Sequence, residues 1–250
     1  MKPCLCVLAV CLMPFLSVAA EDTRVFEMRT YHANPGKLDA LNSRFRDHTV
    51  NLFEKHGMTN VGYWVPKDNE KNLLIYVLAY PSQEARDASW KAFMNDADWK
   101  AAYAESTKDG KLVGKVDSVF LQATDYSPLI APKLADESRL FELRIYSTNE
   151  GKLPNLNARF RDHTVKLFEK HGISNVAYWT PTREKDGKDQ KLVYLVAHKD
   201  EASRKAAFAA FGADPEWQAA RKASEEGGRL LIDKGIESVL MTPTDYSPTK

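Results

Sequence analysis

Cysteine is nearly absent: Cys4, Cys6 and Cys11 are the chain's three, all within its first eleven residues. Beyond them no disulfide, thiolate nucleophile or cysteine-ligated metal can form. No glycine-rich phosphate loop follows a strand, and there is no His-Glu-x-x-His helix, Gly-x-Ser-x-Gly elbow or calcium loop. Nucleotide hydrolysis, zinc peptidase and ordinary esterase chemistry lose their main support, and no metal site is expected. Charge of one sign is also lacking. Thirty-five basic residues face 34 acidic ones, a net +1, which leaves no electrostatic footprint for nucleic acid or an anionic membrane.

The one long apolar run lies at the start. Lys2 supplies a positive charge, Cys4 to Leu16 is apolar, and Ser17-Val18-Ala19-Ala20 ends in small residues before Glu21-Asp22. This pattern predicts a cleavable signal peptide over residues 1–20, export to the periplasm or extracellular space, and no stable membrane span after cleavage. The run is short for an uncleaved anchor, and no cysteine stands at the cleavage point as a lipoprotein would need. The mature protein would then rely on hydrophobic cores alone.

What the chain has is itself, twice. Val25-Phe26-Glu27-Met28-Arg29-Thr30-Tyr31 is echoed by Leu140-Phe141-Glu142-Leu143-Arg144-Ile145-Tyr146, and the segment from Arg44 to Gly57 returns almost unchanged from Arg159 to Gly172. Two long copies indicate a duplicated domain rather than a solenoid of short repeats. The organisation read from this is a first domain at 21–128, a linker at 129–138 containing Pro132, and a second domain at 139–250. Two such units in one chain suggest an intrachain pseudo-dimer, although the linker also permits halves to be exchanged between chains.

Within a unit, Val25 to Tyr31 alternates as a strand, and Asn34-Pro35-Gly36 separates it from a helix that ends at Gly57. Asn60 to Val65 and Leu73 to Tyr80 read as two strands. A helix carrying Ala85, Trp90 and Phe93, a second helical segment around Trp99, and a strand from Val116 to Ala123 complete the set. The order β-α-β-β-α-β is that of ferredoxin-like units, an α+β fold. The second unit repeats it, with insertions at Lys185 to Lys188 and near Asp233-Lys234.

These residues carry a resemblance. The strand Phe-Glu-x-Arg-x-Tyr, the helix ending Leu-Phe-Glu-Lys-His-Gly, the pairs Tyr63-Trp64 and Tyr178-Trp179, the segment Asp214-Pro215-Glu216-Trp217 and the closing Tyr126-Ser127-Pro128 and Tyr246-Ser247-Pro248 resemble the NIPSNAP family. The resemblance covers nearly all of the chain after the signal. It implies a dimeric α/β-barrel, here formed by two ferredoxin-like units of one chain. It implies no settled chemistry, because the wider superfamily includes cofactor-free monooxygenases, haem enzymes and binders, and fold does not dictate function.

Alternation on the first strand places Glu27, Arg29 and Tyr31 on one face and Phe26 and Met28 on the other, and Glu142, Arg144 and Tyr146 repeat the polar row. The expectation is that the apolar row faces the helices and the polar rows line the barrel interior. There they can orient a carboxylate or enolate, with arginine as anion partner and tyrosine as donor, or simply form an ion-pair network between the sheets. His48 and His163 are placed by the 100° helical step on the buried face, as core or interface histidines or as acid/base or haem ligands. His56 and His171, each before a terminal glycine, read as helix C-terminal caps. The copies differ where His32 becomes Ser147 and Tyr80 becomes His198. Two functions follow. One is a module that binds an unidentified small molecule or protein partner, with no cofactor expected. The other is a cofactor-independent, monooxygenase-like enzyme with a Glu/Arg/Tyr-lined site; haem bound through His48 or His163 is a weaker third reading.

Overall fold

The computed structural model describes residues 22–130 and 139–250. The signal-peptide reading and most of the linker lie outside the described residues. The first unit runs β1 (Val25–Ala33), α1 (Leu38–Arg44), a π-helical turn (Phe45–Thr49), α2 (Val50–Lys55), β2 (Thr59–Pro66), β3 (Leu73–Tyr80), α3 (Gln83–Asn95), α4 (Ala97–Thr107) and β4 (Val113–Ala123). The second repeats this as β5 (Leu140–Thr148), α5 (Leu153–Arg159), a π-helical turn (Phe160–Thr164), α6 (Val165–Lys170), β6 (Ser174–Pro181), β7 (Lys191–His198), α7 (Glu201–Ala213), α8 (Pro215–Ser224) and β8 (Leu231–Pro243). Gly57 and Gly172 stop their helices in the left-handed region, both at φ 76°, where a side chain would be strained.

All strand pairings are antiparallel, and the order β1-β3-β2-β8-β5-β7-β6-β4 closes into an eight-stranded barrel. Each unit's last strand completes the other's sheet. Thus β8 pairs with β2 through Val65 and Thr242, and β4 pairs with β6 through Gln122 and Thr180. The chain beyond each seam straps onto the opposite unit. Ser247 Oγ accepts from the Tyr63 amide at 2.9 Å and Ser127 Oγ from the Tyr178 amide at 3.0 Å, while the Tyr246 and Tyr126 hydroxyls donate to Asn42 and Asn157. The pseudo-dimer is therefore built within one chain.

The lumen reverses one expectation. Phe26, Met28, Trp64, Phe141, Leu143 and Trp179 form a single apolar core drawn from both units. The Glu27, Arg29, Tyr31 row and its copy Glu142, Arg144, Tyr146 face the helices instead, where Glu27 meets Arg86 of α3 and Glu142 meets Arg204 of α7. The physical reason is pairing. A charged row needs partners, the helices supply arginines, and a lumen closed by tryptophan and phenylalanine supplies none. Filled by these side chains, the lumen is not where a ligand would sit.

The histidine placement is also corrected. His48 is exposed and His163 half-buried. The π-helical turn holds one residue more than an α-turn, so the buried positions after Leu41 and Phe45 become Thr49, Leu52 and Phe53 rather than position 48. Thr49 Oγ1 and Thr164 Oγ1 bond the Arg44 and Arg159 carbonyls at 3.1 Å, satisfying acceptors that the wider turn frees. His56 and His171 do lie at helix C-termini, and they also bridge elements: each Nε2 stands 2.7 Å from Asp96 or Asp214, the N-cap of the following α4 or α8.

Because the lumen core holds both units together, Trp64→Ala and Trp179→Ala are each expected to cost about 3–5 kcal/mol in urea unfolding, with the slope unchanged.

Candidate functional site

Two buried carboxylates organise the space between sheet and helices. Glu27 is fully buried and accepts from Arg29 Nη1 of its own strand, from Arg86 Nε and Nη2 at 2.9 Å each, and from Ser118 Oγ at 2.6 Å. Glu142 is held in the same way by Arg144, by Arg204 at 2.6 and 2.8 Å, and by Ser238 at 2.5 Å. Burial alone would raise both carboxyls. The hydrogen bond from Arg86 and the Arg29 charge hold Glu27 below its ordinary pKa, and Arg204, Ser238 and Arg144 do so for Glu142. Neither glutamate is free to act as a proton donor. Sequence patterning does not single out Arg86 and Arg204, yet each stands one turn before a half-buried aromatic, Trp90 or Phe208, on the sheet-facing stripe of its helix.

Next to this cluster the second unit contains a crevice of about 380 Å³ between β5, β8 and the helices. Its floor is buried: Arg159, Phe160, Thr164, Phe168 and Phe211. The π-helical turn brings Arg159, Phe160 and Thr164 to this one place. Arg144 and Tyr146 also line it, so two of the residues singled out by strand alternation belong to the site while Glu142 lies behind them. The Tyr146 hydroxyl accepts from Arg144 Nη2 at 3.1 Å, and Arg144 Nε donates to Tyr194 at 2.8 Å. Burial works against the Arg144 charge, but the Tyr194, Tyr146 and Glu142 oxygens leave its pKa above its ordinary value. The rim carries Arg221, Arg229 and Lys234 with Ile232 and Ile236. Five cations thus line the crevice against one carboxylate, Glu225.

Arg159 is the exceptional residue. It is 5% exposed, its Nε has no hydrogen-bond partner, and Nη1 reaches only Ser224 at 3.2 Å and Glu225 at 3.5 Å. Burial lowers its pKa. Its first-unit counterpart Arg44 is equally buried, with the same unpaired Nε, but lies against two neighbouring rings, Trp99 and Tyr103, at 5.2 and 5.3 Å. Arg159 keeps the Trp217 ring at 5.2 Å, whereas Arg221 stands where Tyr103 would be.

The first-unit space is occupied more fully. Trp90 donates Nε1–H to the Tyr80 hydroxyl at 2.9 Å and lies over Arg29, whose guanidinium carbon is 4.5 Å from the ring centroid. The second unit has Phe208 and His198 at these positions. His198 is 2% exposed, and neither ring nitrogen makes a hydrogen bond, Nε2 standing 3.4 Å from Glu142 Oε2. His48 is exposed, and His163 belongs to a separate depression with Ala220 and Ser224. The second-unit crevice is lined by no histidine, so the donors do not fit haem held through His48 or His163. Among the described residues no group of three His, Cys, Asp or Glu side chains is arranged to hold a metal.

Comparison with known proteins places this geometry. Residues 26–128 and 141–248 each match the model of the NIPSNAP family. A NipSnap homolog from Dictyostelium discoideum is 26% identical over 136 residues, 54% of this chain and 53% of that protein, so the match spans about half the relative's length. A NIPSNAP family protein from Agrobacterium tumefaciens is 22% identical and covers 42% of this chain and 98% of its own, with a TM-score of 0.39. A Fusobacterium nucleatum structure provisionally described as a monooxygenase covers 88% of this chain and 92% of its own at 11% identity and a TM-score of 0.54, a likeness of fold alone.

The buried cluster yields two expectations. Arg204→Met, which leaves Glu142 undercompensated, should lower stability by about 3 kcal/mol in denaturant titration. Because Glu142 has a folded pKa below its unfolded one, its contribution is complete above the unfolded value near ~4.3 and is lost as pH falls through the lower folded value; Glu142→Gln should flatten the melting temperature across that acidic range.

Proposed function

The chain belongs to the NIPSNAP family, and we propose that this member binds a small organic anion in the crevice beneath the second unit's helices. The observation that carries the reading is Arg159, a buried guanidinium with an unpaired Nε and without the second aromatic neighbour of its counterpart Arg44, on the floor of a cavity whose size falls in the range of roughly 300–1,000 Å³ usual for ligand sites. An acid is the natural partner because five cations surround one carboxylate. Phenylalanines and Trp217 supply the apolar surface for its body. The concave shape favours a small molecule over a protein partner.

A second reading is supported by the Arg144–Tyr146 pair in the crevice wall. There the bound anion is an enolate that itself reduces oxygen, as cofactor-independent monooxygenases require of their substrates. Oxygen uptake that depends on the bound compound and is lost in Tyr146→Phe separates catalysis from simple binding. We further propose that the protein is exported, from the charged, apolar and small-residue order of residues 1–20. Mass spectrometry of the N-terminus of protein recovered from its native host tests this, and an intact Met1 would refute it.

Isothermal titration with a panel of aliphatic and aromatic monocarboxylates tests the binding reading. Phe208→Trp installs the residue the first unit already accommodates. It should weaken binding at least tenfold, as cavity filling excludes the ligand, with the melting temperature retained. Glu225→Gln removes the one competing carboxylate and should strengthen binding by about threefold, an effect that shrinks in high salt. Unchanged binding in Phe208→Trp would place the ligand elsewhere.

A further inference from the structure

Three departures between the two copies meet at one place. Trp90 is replaced by the smaller Phe208, Tyr103 by Arg221, and β4 by a longer β8, in which Lys234 takes a left-handed φ of 53° as the strand bulges beside the crevice. Each change acts on the same crevice. The first removes indole volume, the second takes one aromatic neighbour from Arg159, and the third builds a cationic rim. Elsewhere the sheet–helix clusters of the two units correspond closely: Phe45, Phe53, Tyr63, Tyr76 and Phe93 pack as Phe160, Phe168, Tyr178, Tyr194 and Phe211 do. Drift spread over the copies would not concentrate changes of size, charge and backbone on one cavity.

The first unit also shows what completes such a site. There Arg44 lies against two adjacent aromatic rings, the buried Trp99 and the exposed Tyr103. Arg159 keeps the first of these rings as Trp217, has Arg221 in place of the second, and lines the crevice. A planar ring entering the crevice would take Tyr103's place on the guanidinium, and a carboxylate on that ring would meet Arg221 and Lys234 at the rim. Resting on the anion-site reading above, we propose that the ligand is an aromatic carboxylic acid, bound once per chain, with its ring against Arg159 beside Trp217 and its acid on Arg221. The first unit carries its own substitute for that ring in Tyr103, and Trp90 fills the space behind it. Phe208 and Arg221 are then the residues that make one half of the pseudo-dimer receptive and leave the other structural.

The test is isothermal titration of the full protein with naphthoate and with decalin carboxylate, a saturated acid of similar size and equal charge. Naphthoate is expected to bind about fivefold more tightly, the advantage a ring gains on a partly desolvated guanidinium, with one site per chain. Arg221→Tyr should weaken naphthoate about tenfold at an unchanged melting temperature, since it restores the closed first-unit arrangement. Trp90→Phe combined with Tyr103→Arg should raise the stoichiometry to two. Equal affinity for the two acids would overturn the aromatic class while leaving an anion site standing. Two sites per wild-type chain would overturn the division between halves. Binding of neither acid would sink the anion reading and this inference with it. Should the double variant fail to fold, the wild-type stoichiometry and Arg221→Tyr still decide the question.

Discussion

The structure depends on a carboxylate buried between two layers. Glu27 and Glu142 each join an arginine two residues along the same strand to an arginine on the helix above, so sheet and helix are locked in one register. A glutamate buried at full charge would be prohibitive without such partners, and one so completely bonded is a fixed strut. Its geometry propagates. It directs the polar row outward, leaves the lumen to Phe26, Trp64, Phe141 and Trp179, and orients Arg144 against Tyr146 at the crevice wall.

Duplication within one chain makes asymmetry available. In a symmetric dimer a substitution in one sheet–helix space appears in both, whereas here the second unit has Phe208 where the first has Trp90 and Arg221 where it has Tyr103. The exchanged straps and the β2–β8 and β4–β6 seams bind the halves into one barrel. One half can therefore open a cavity while the other retains its aromatic core.

Much of the architecture was legible. The repeat and the ferredoxin-like order follow from period-two and helical spacing, and Leu73–Tyr80 matches its reading to the residue, while β4 begins at Val113, three residues before its reading places it. Alternation separated Glu27, Arg29 and Tyr31 from Phe26 and Met28 without indicating which row faced the lumen, because both faces of this sheet are buried. The helical step failed at His48 because nothing in Phe45-Arg46-Asp47-His48-Thr49 announces a π-helical turn, and one extra residue rotates everything after it. Of the residues that line the crevice, strand alternation singles out Arg144 and Tyr146. Arg159 was seen only as one residue of the repeated helix, and Phe208 and Arg221 were not singled out, since their meaning lies in what their counterparts fill.

The amino-acid order by itself determined the family, the two-unit organisation and the elements of each unit, because local periodicity and turn chemistry depend on neighbours in the chain. Only the tertiary structure decided which face became the lumen, which arginines neutralise the buried glutamates, and which half holds the crevice. These depend on groups distant in sequence, as with Arg204 on Glu142 or Trp217 on Arg159, and it is closure of the barrel and docking of the helices that bring them within reach.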